Sequence, residues 1–193
     1  MKFFNSYLYG LDEKNKENCL TLIINSPESE SLFNLIRNIL DKLSNKINIE
    51  QDIENNKVQR EELFGSLNND KIEEKSLNFP TNIFENDLNE YIQALDFLIH
   101  FSESTQRMKD YLRYQNNNNY KNHNFIVILS GIIESFTQDE NPKNKNLIDK
   151  YFIIIIKIIE CITKCCIRAS NENKDCIVKE TNFLKFIILE IFQ

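Results

Sequence analysis

Glycine and proline are almost missing, with three of each in 193 residues. An ordinary chain carries roughly 12% of the two together, and β-sandwiches and barrels use them in their many turns. Their scarcity argues against those architectures and predicts an all-α chain. It also removes the glycine-rich loops that cradle phosphates, and no nucleotide fingerprint stands in the sequence. Tryptophan is absent, and histidine occurs only as His100 and His123. Neither has a local acid–base partner pattern, so the expectation is a protein that is not an enzyme and needs no cofactor. An excess of positive charge is lacking too. Lys and Arg number 23 against 29 Asp and Glu, for a formal charge of −6, so no direct nucleic-acid partner is expected. The opening Met1-Lys2-Phe3-Phe4-Asn5-Ser6 has none of the ~7–15-residue apolar core of a secretory signal. The chain therefore reads as intracellular, in cytoplasm or nucleus, with its five cysteines as reduced thiols.

What is present is apolar and rich in asparagine. Apolar residues make up 41% of the chain, and Asn and Ile contribute 28 each. A chain of this length buries roughly 70% of its unfolded surface, so a substantial core is available. Asn, Ile and Lys share A- and T-rich codons, and an AT-biased genome is the simplest source of runs such as Asn116 to Asn119.

Helical periodicity punctuates the chain. After a cap at Ser26 and a first-turn proline at Pro27, Leu32, Ile36, Ile39 and Leu43 recur at steps of three and four. From Asn82, the residues Phe84, Leu88, Tyr91, Ile92, Leu95, Leu98, Ile99 and Phe101 describe a long amphipathic helix. A short helix with Met108, Tyr111 and Leu112 follows, then a third with Phe125, Ile128, Leu129, Ile132, Ile133 and Phe136. Between these regions, Ser44 to Asn78 is thin in apolar residues and carries eight acidic and five basic side chains. It reads as a charged, mobile insertion with room for a short helix around Val58 to Leu67, and has too little apolar surface to offset an ordering cost of roughly 1–2 kcal/mol per residue. Leu147 to Arg168 is the most apolar stretch, close to the ~20 residues a membrane helix needs. Lys157, Glu160 and Lys164 interrupt it along one line, at roughly 2.5–3.5 kcal/mol per charge on insertion scales. A helix buried within a bundle, not a transmembrane one, is expected.

Three segments resemble one another: Ser31-Leu32-Phe33-Asn34-Leu35-Ile36, Asn124-Phe125-Ile126-Val127-Ile128-Leu129 and Asn182-Phe183-Leu184-Lys185-Phe186-Ile187. Before the second and third stands the same grammar, a long apolar helix, a polar turn and a short helix. This order resembles the armadillo repeat, with a HEAT-like or other helical bundle as the related possibility. The resemblance implies a short α-solenoid or right-handed superhelix, in which units stack because none buries its apolar face alone. The organisation then reads as a first helical unit over 1–43, the insertion over 44–79 and two armadillo-like units over 80–193. The apolar ending at Phe192 and Gln193 reads as a fragment of a solenoid or one closed by a partner chain.

The same resemblance points to a non-catalytic scaffold that holds a protein partner on a concave face lined by the long helices. On the helix from Asn82, the positions Asn89, Gln93, Asp96, His100 and Glu103 share a face, which reads either as a solvated helix face or as a partner groove. His100 stands where armadillo proteins place an asparagine that grips a peptide backbone. The next long helix presents Lys157, Glu160, Lys164 and Arg168, which either satisfy the first line or grip an acidic segment. Cys161, Cys165, Cys166 and Cys176 cluster, but without the turn-borne pairs of a zinc site they read as core thiols. Two other functions stay open. The charged insertion, Lys109-Asp110-Tyr111-Leu112 and the helix ending Ile133-Glu134-Ser135-Phe136 resemble the order of wings-apart-like cohesin-regulating repeats. A helical subunit of a membrane complex is the other.

Overall fold

The computed structural model describes residues 2–64, 81–115, 122–136, 144–168 and 170–188. The all-α expectation holds, since every regular element among the described residues is a helix. In chain order they are α1 (Lys2–Tyr9), α2 (Glu13–Asn25), α3 (Ser29–Phe64), α4 (Thr81–Glu103) and α5 (Gln106–Arg113), then α6 (Phe125–Ser135), α7 (Asn144–Cys166), α8 (Asn171–Glu180) and α9 (Phe183–Phe186). Local chemistry fixes the starts of several. Asp12, Asn124 and Ser170 each accept a hydrogen bond at the N-terminus they cap, from the backbone N–H of Asn15, Val127 and Asn173. Each satisfies a donor the helix itself leaves orphaned.

The helices pair by kind. Along the long helices, Lys157 of α7 binds Asp96 of α4 and Lys164 binds Glu103. Both links join residues 61 apart, so α4 and α7 run parallel in one register. The short helices repeat the arrangement. Ser170 at the start of α8 donates to Asp110 of α5, and Arg113 donates to Asn173 at 2.8 Å, each across 60 positions. Lys109 adds a bond to the carbonyl of Ile167, tying α5 to the end of α7. Helix α1 also packs along α4. Asn5 Nδ2 donates to the Gln93 carbonyl at 2.8 Å. A spacing of about 60 residues between like helices is thus built into the packing.

Phenylalanine sets the centre. Phe33 is 2% exposed, and its ring lies 6.2, 5.5, 5.2 and 5.8 Å from those of Phe97, Phe101, Tyr111 and Phe125. One side chain therefore joins α3, α4, α5 and α6. Ile154, Ile158, Cys161, Ile162 and Cys165 carry the core along α7.

The expected insertion begins too early. Helix α3 passes through residue 44 without a break and continues to Phe64. Its buried line runs through Leu40 and Leu43 to Ile47, which is fully buried. Beyond it, Lys46 reaches Asp87 at 2.7 Å, Glu50 holds Lys150 at 2.8 Å and Gln51 donates to the carbonyl of Ser135. A helix docked by its apolar first half needs few apolar residues in the second, because neither Gly nor Pro interrupts it. The remainder of the expected insertion, residues 65–79, lies outside the described residues, as do Asn116 to Asn119 and Phe192–Gln193.

Candidate functional site

Two stripes of polar residues, one on α4 and one on α7, are brought together and largely satisfy each other. Asn89 is exposed at the start of the α4 stripe. Gln93 is half-buried, and its carbonyl is taken by Asn5. Asp96 is bound by Lys157, with both side chains less than one-fifth exposed. One turn beyond His100, Glu103 accepts Lys164 on one side and Lys16 of α2, at 3.0 Å, on the other. Lys164 also binds Glu160 within its own helix. Arg168 stands apart, exposed beyond the end of α7 with φ 52°. Its backbone is in the left-handed region, which turns the chain towards α8.

The charges tune one another. Burial raises the Glu103 carboxyl, but the Lys164 and Lys16 ammonium groups outweigh it and hold the group below its ordinary value. Lys164 shows the mirror case, with burial lowering it while Glu103 and Glu160 carry it above the usual lysine range. Such a cluster is worth more than isolated surface pairs, because the Lys16 side chain is only 8% exposed.

His100 is inside the protein, not on a groove. It is fully buried, beneath the Tyr9 ring at 4.5 Å and 75°. Neither ring nitrogen has a hydrogen-bond partner, and the closest carboxylate oxygen, on Glu103, lies 3.9 Å from Nδ1. Burial, with Lys16 and Lys164 nearby, pushes its pKa down to about 4 against the pull of Glu103 and Asp96. The unfolded ring takes up its proton near the ordinary 6.5. Stability is therefore complete above that pH and is lost as the pH falls towards 4. Moving from pH 7 to pH 5 should remove about 2 kcal/mol. A His100→Phe variant should lose much less over the same interval, with urea unfolding at both values as the measure.

The cysteines behave as packing. Cys161, Cys165 and Cys176 are buried and all five are free thiols. A hydrogen bond with Cys161, together with burial, holds the Cys165 thiol well above its ordinary value. Among the described residues, no group of three or more His, Cys, Asp or Glu is placed to hold a metal ion. His123 is buried at the entry to α6, with Nε2 2.6 Å from Asn34 Oδ1. Two open hollows have mixed polar and apolar linings. One of about 840 Å³ lies between the end of α2 and α5, beside Asn25, Arg107 and Asp110. Another of about 580 Å³ lies between α3 and the start of α6, beside Arg37, Asn38 and Asn122.

Sequence reasoning missed three participants. Lys16, Tyr9 and Asn5 lie about 87 to 91 residues before their partners on α4. No local pattern in α1 or α2 announces those contacts. Among the described residues, no helix is long and apolar enough to cross a membrane.

Residues 86–191 match the family model described as RyR and IP3R Homology associated. No curated protein and no solved structure matches the chain.

Proposed function

We propose, from the premise that the chain belongs to the RyR and IP3R Homology associated family, that it is a non-catalytic helical scaffold. In this reading its units stack in the armadillo-like manner, and the row formed by α1 with the long helices α4 and α7 receives a protein partner. The observation that carries the reading is the fixed register of like helices, 61 residues between α4 and α7 and 60 between α5 and α8. Stacked helical units of this sort generate extended surfaces, and binding is what such surfaces do. The family description names the partner to try first, a RyR and IP3R Homology region.

Asn89 and Arg168 are the exposed members of the two stripes, whereas Asp96, Glu103, Lys157, Glu160 and Lys164 make contacts among themselves. A partner docked here makes its polar contacts first with those two. A purified RyR and IP3R Homology region should bind in calorimetric titration with a Kd of about 10 μM or tighter. The double variant Asn89→Ala, Arg168→Glu should weaken it by about tenfold at unchanged thermal stability. Absence of heat at saturating concentrations would remove this partner.

The reading as a helical subunit of a membrane complex is the alternative, and the description RyR and IP3R Homology associated is its only support. Attachment then runs through protein contacts, consistent with the lack of a membrane-crossing helix among the described residues. Cohesin regulation gains no separate observation.

A further inference from the structure

Helix α7 is apolar on two sides, and only one of them is used. Its buried side carries Tyr151, Ile154, Ile158, Ile162 and Cys165, at helical steps that form a single stripe. The opposite side carries Phe152, Ile153, Ile156 and Ile167, exposed by 58%, 44%, 43% and 54%. A surface-facing helix side is normally polar, and contiguous exposed apolar side chains mark interaction sites. The companion long helix α4 contrasts with it, since its large apolar side chains from Leu88 to Phe101 are buried or half-buried.

Charge identifies the occupant. Asp149, Ile153, Ile156 and Glu160 follow one another at steps of four, three and four, so the apolar pair is bracketed by a carboxylate at each end. Asp149 is exposed, and among the described residues its side chain has no hydrogen-bond or ion-pair partner. Glu160 shares one oxygen with Lys164 and keeps a 41% exposed side chain. The adjoining α4–α7 contact is built the same way, with apolar side chains in the middle and Lys–carboxylate links at its margin. A second copy of the chain, itself of charge −6, brings its own carboxylates to this face.

We propose that the exposed side of α7 docks a basic amphipathic helix, whose apolar stripe covers Phe152, Ile153 and Ile156 and whose flanking lysines or arginines meet Asp149 and Glu160. The inference rests on the scaffold reading for its biological sense, but not on the identity of the partner. It continues the row of long helices by one more member, with the margin charges kept complementary.

The test uses the full chain and two synthetic alanine-based helical peptides. Each carries a leucine stripe flanked by two charged residues spaced as Asp149 and Glu160 are, lysines in one peptide and glutamates in its twin. Fluorescence anisotropy should show the lysine peptide binding and its twin bound at least about tenfold more weakly. Ile156→Asp should abolish binding while leaving the melting temperature within a degree or two, since the residue is at the surface. Asp149→Lys should narrow the preference between the peptides by about tenfold. Equal binding of the twins, or full binding by Ile156→Asp, overturns the proposal. So does a sedimenting dimer of the chain alone that Ile156→Asp dissolves, which would make a second copy the occupant. Failure of a RyR and IP3R Homology region to bind leaves all these readouts intact, so the two ideas fail separately.

Discussion

Replacing Phe33 with alanine is expected to destabilise the protein by about 3–5 kcal/mol, the usual range for emptying a buried aromatic site. The site cannot collapse easily. Four rings from three helices surround Phe33, and each is anchored by its own neighbours, as Phe97 is by Phe101 at 5.1 Å. Removing the ring leaves a cavity and forfeits the edge-on contact with Phe101, set at 85°. Against a total stability of about 5–15 kcal/mol, the loss is a large fraction. The neighbouring Leu35 is 49% exposed, so Leu35→Ala should stay within about 0.5 kcal/mol. Urea unfolding of the two variants provides the comparison. Similar midpoints would mean that Phe33 does not join the helices in solution.

Glu103→Ala should cost about 2–3 kcal/mol, less than breaking a fully buried ion pair because Glu103 keeps 34% of its side-chain surface in water. Two lysines lose their carboxylate at once, and Lys16 has almost no solvent to replace it. The expected signature is non-additivity. Adding Lys16→Met to Glu103→Ala removes the stranded charge, so the double variant should be more stable than Glu103→Ala alone. If the costs of the two changes simply add, Lys16 and Glu103 do not act as a pair.

Much of the architecture was legible because helices announce themselves by period and by breakers. The steps from Phe84 to Phe101 and from Phe125 to Phe136 placed α4 and α6, and the scarcity of glycine and proline placed the whole class. Residues 44–64 were misread for a physical reason. Low apolar content signals little burial, but a helix already nucleated and docked through Leu40, Leu43 and Ile47 continues at small cost per residue, and Lys46, Glu50 and Gln51 tie it to its neighbours by polar contacts. The stripes on α4 and α7 were legible as stripes, while their pairing needs the third dimension. A charge line facing water and one facing another charge line look alike in one dimension, and His100 shows how far this goes. Its spacing put it on the polar face, yet Tyr9, from a distant part of the chain, covers it. The family itself was beyond reach of these patterns, because apolar helical repeats are too permissive to separate one family from another.

The constant register between like helices also governs how the protein opens. Each element opens at a cost set by the contacts that hold it. Helix α4 is packed by α1, α3, α5 and α7, and its amides belong with the slowest to exchange. Helices α8 and α9 lean mainly on α6 and on each other, so they open at lower cost than the whole. A helix seated on α7 stiffens the link through which Lys109 and Asp110 hold the turn into α8. Its arrival would be felt as slower hydrogen exchange in segments it never touches, a binding signal carried by rigidity alone.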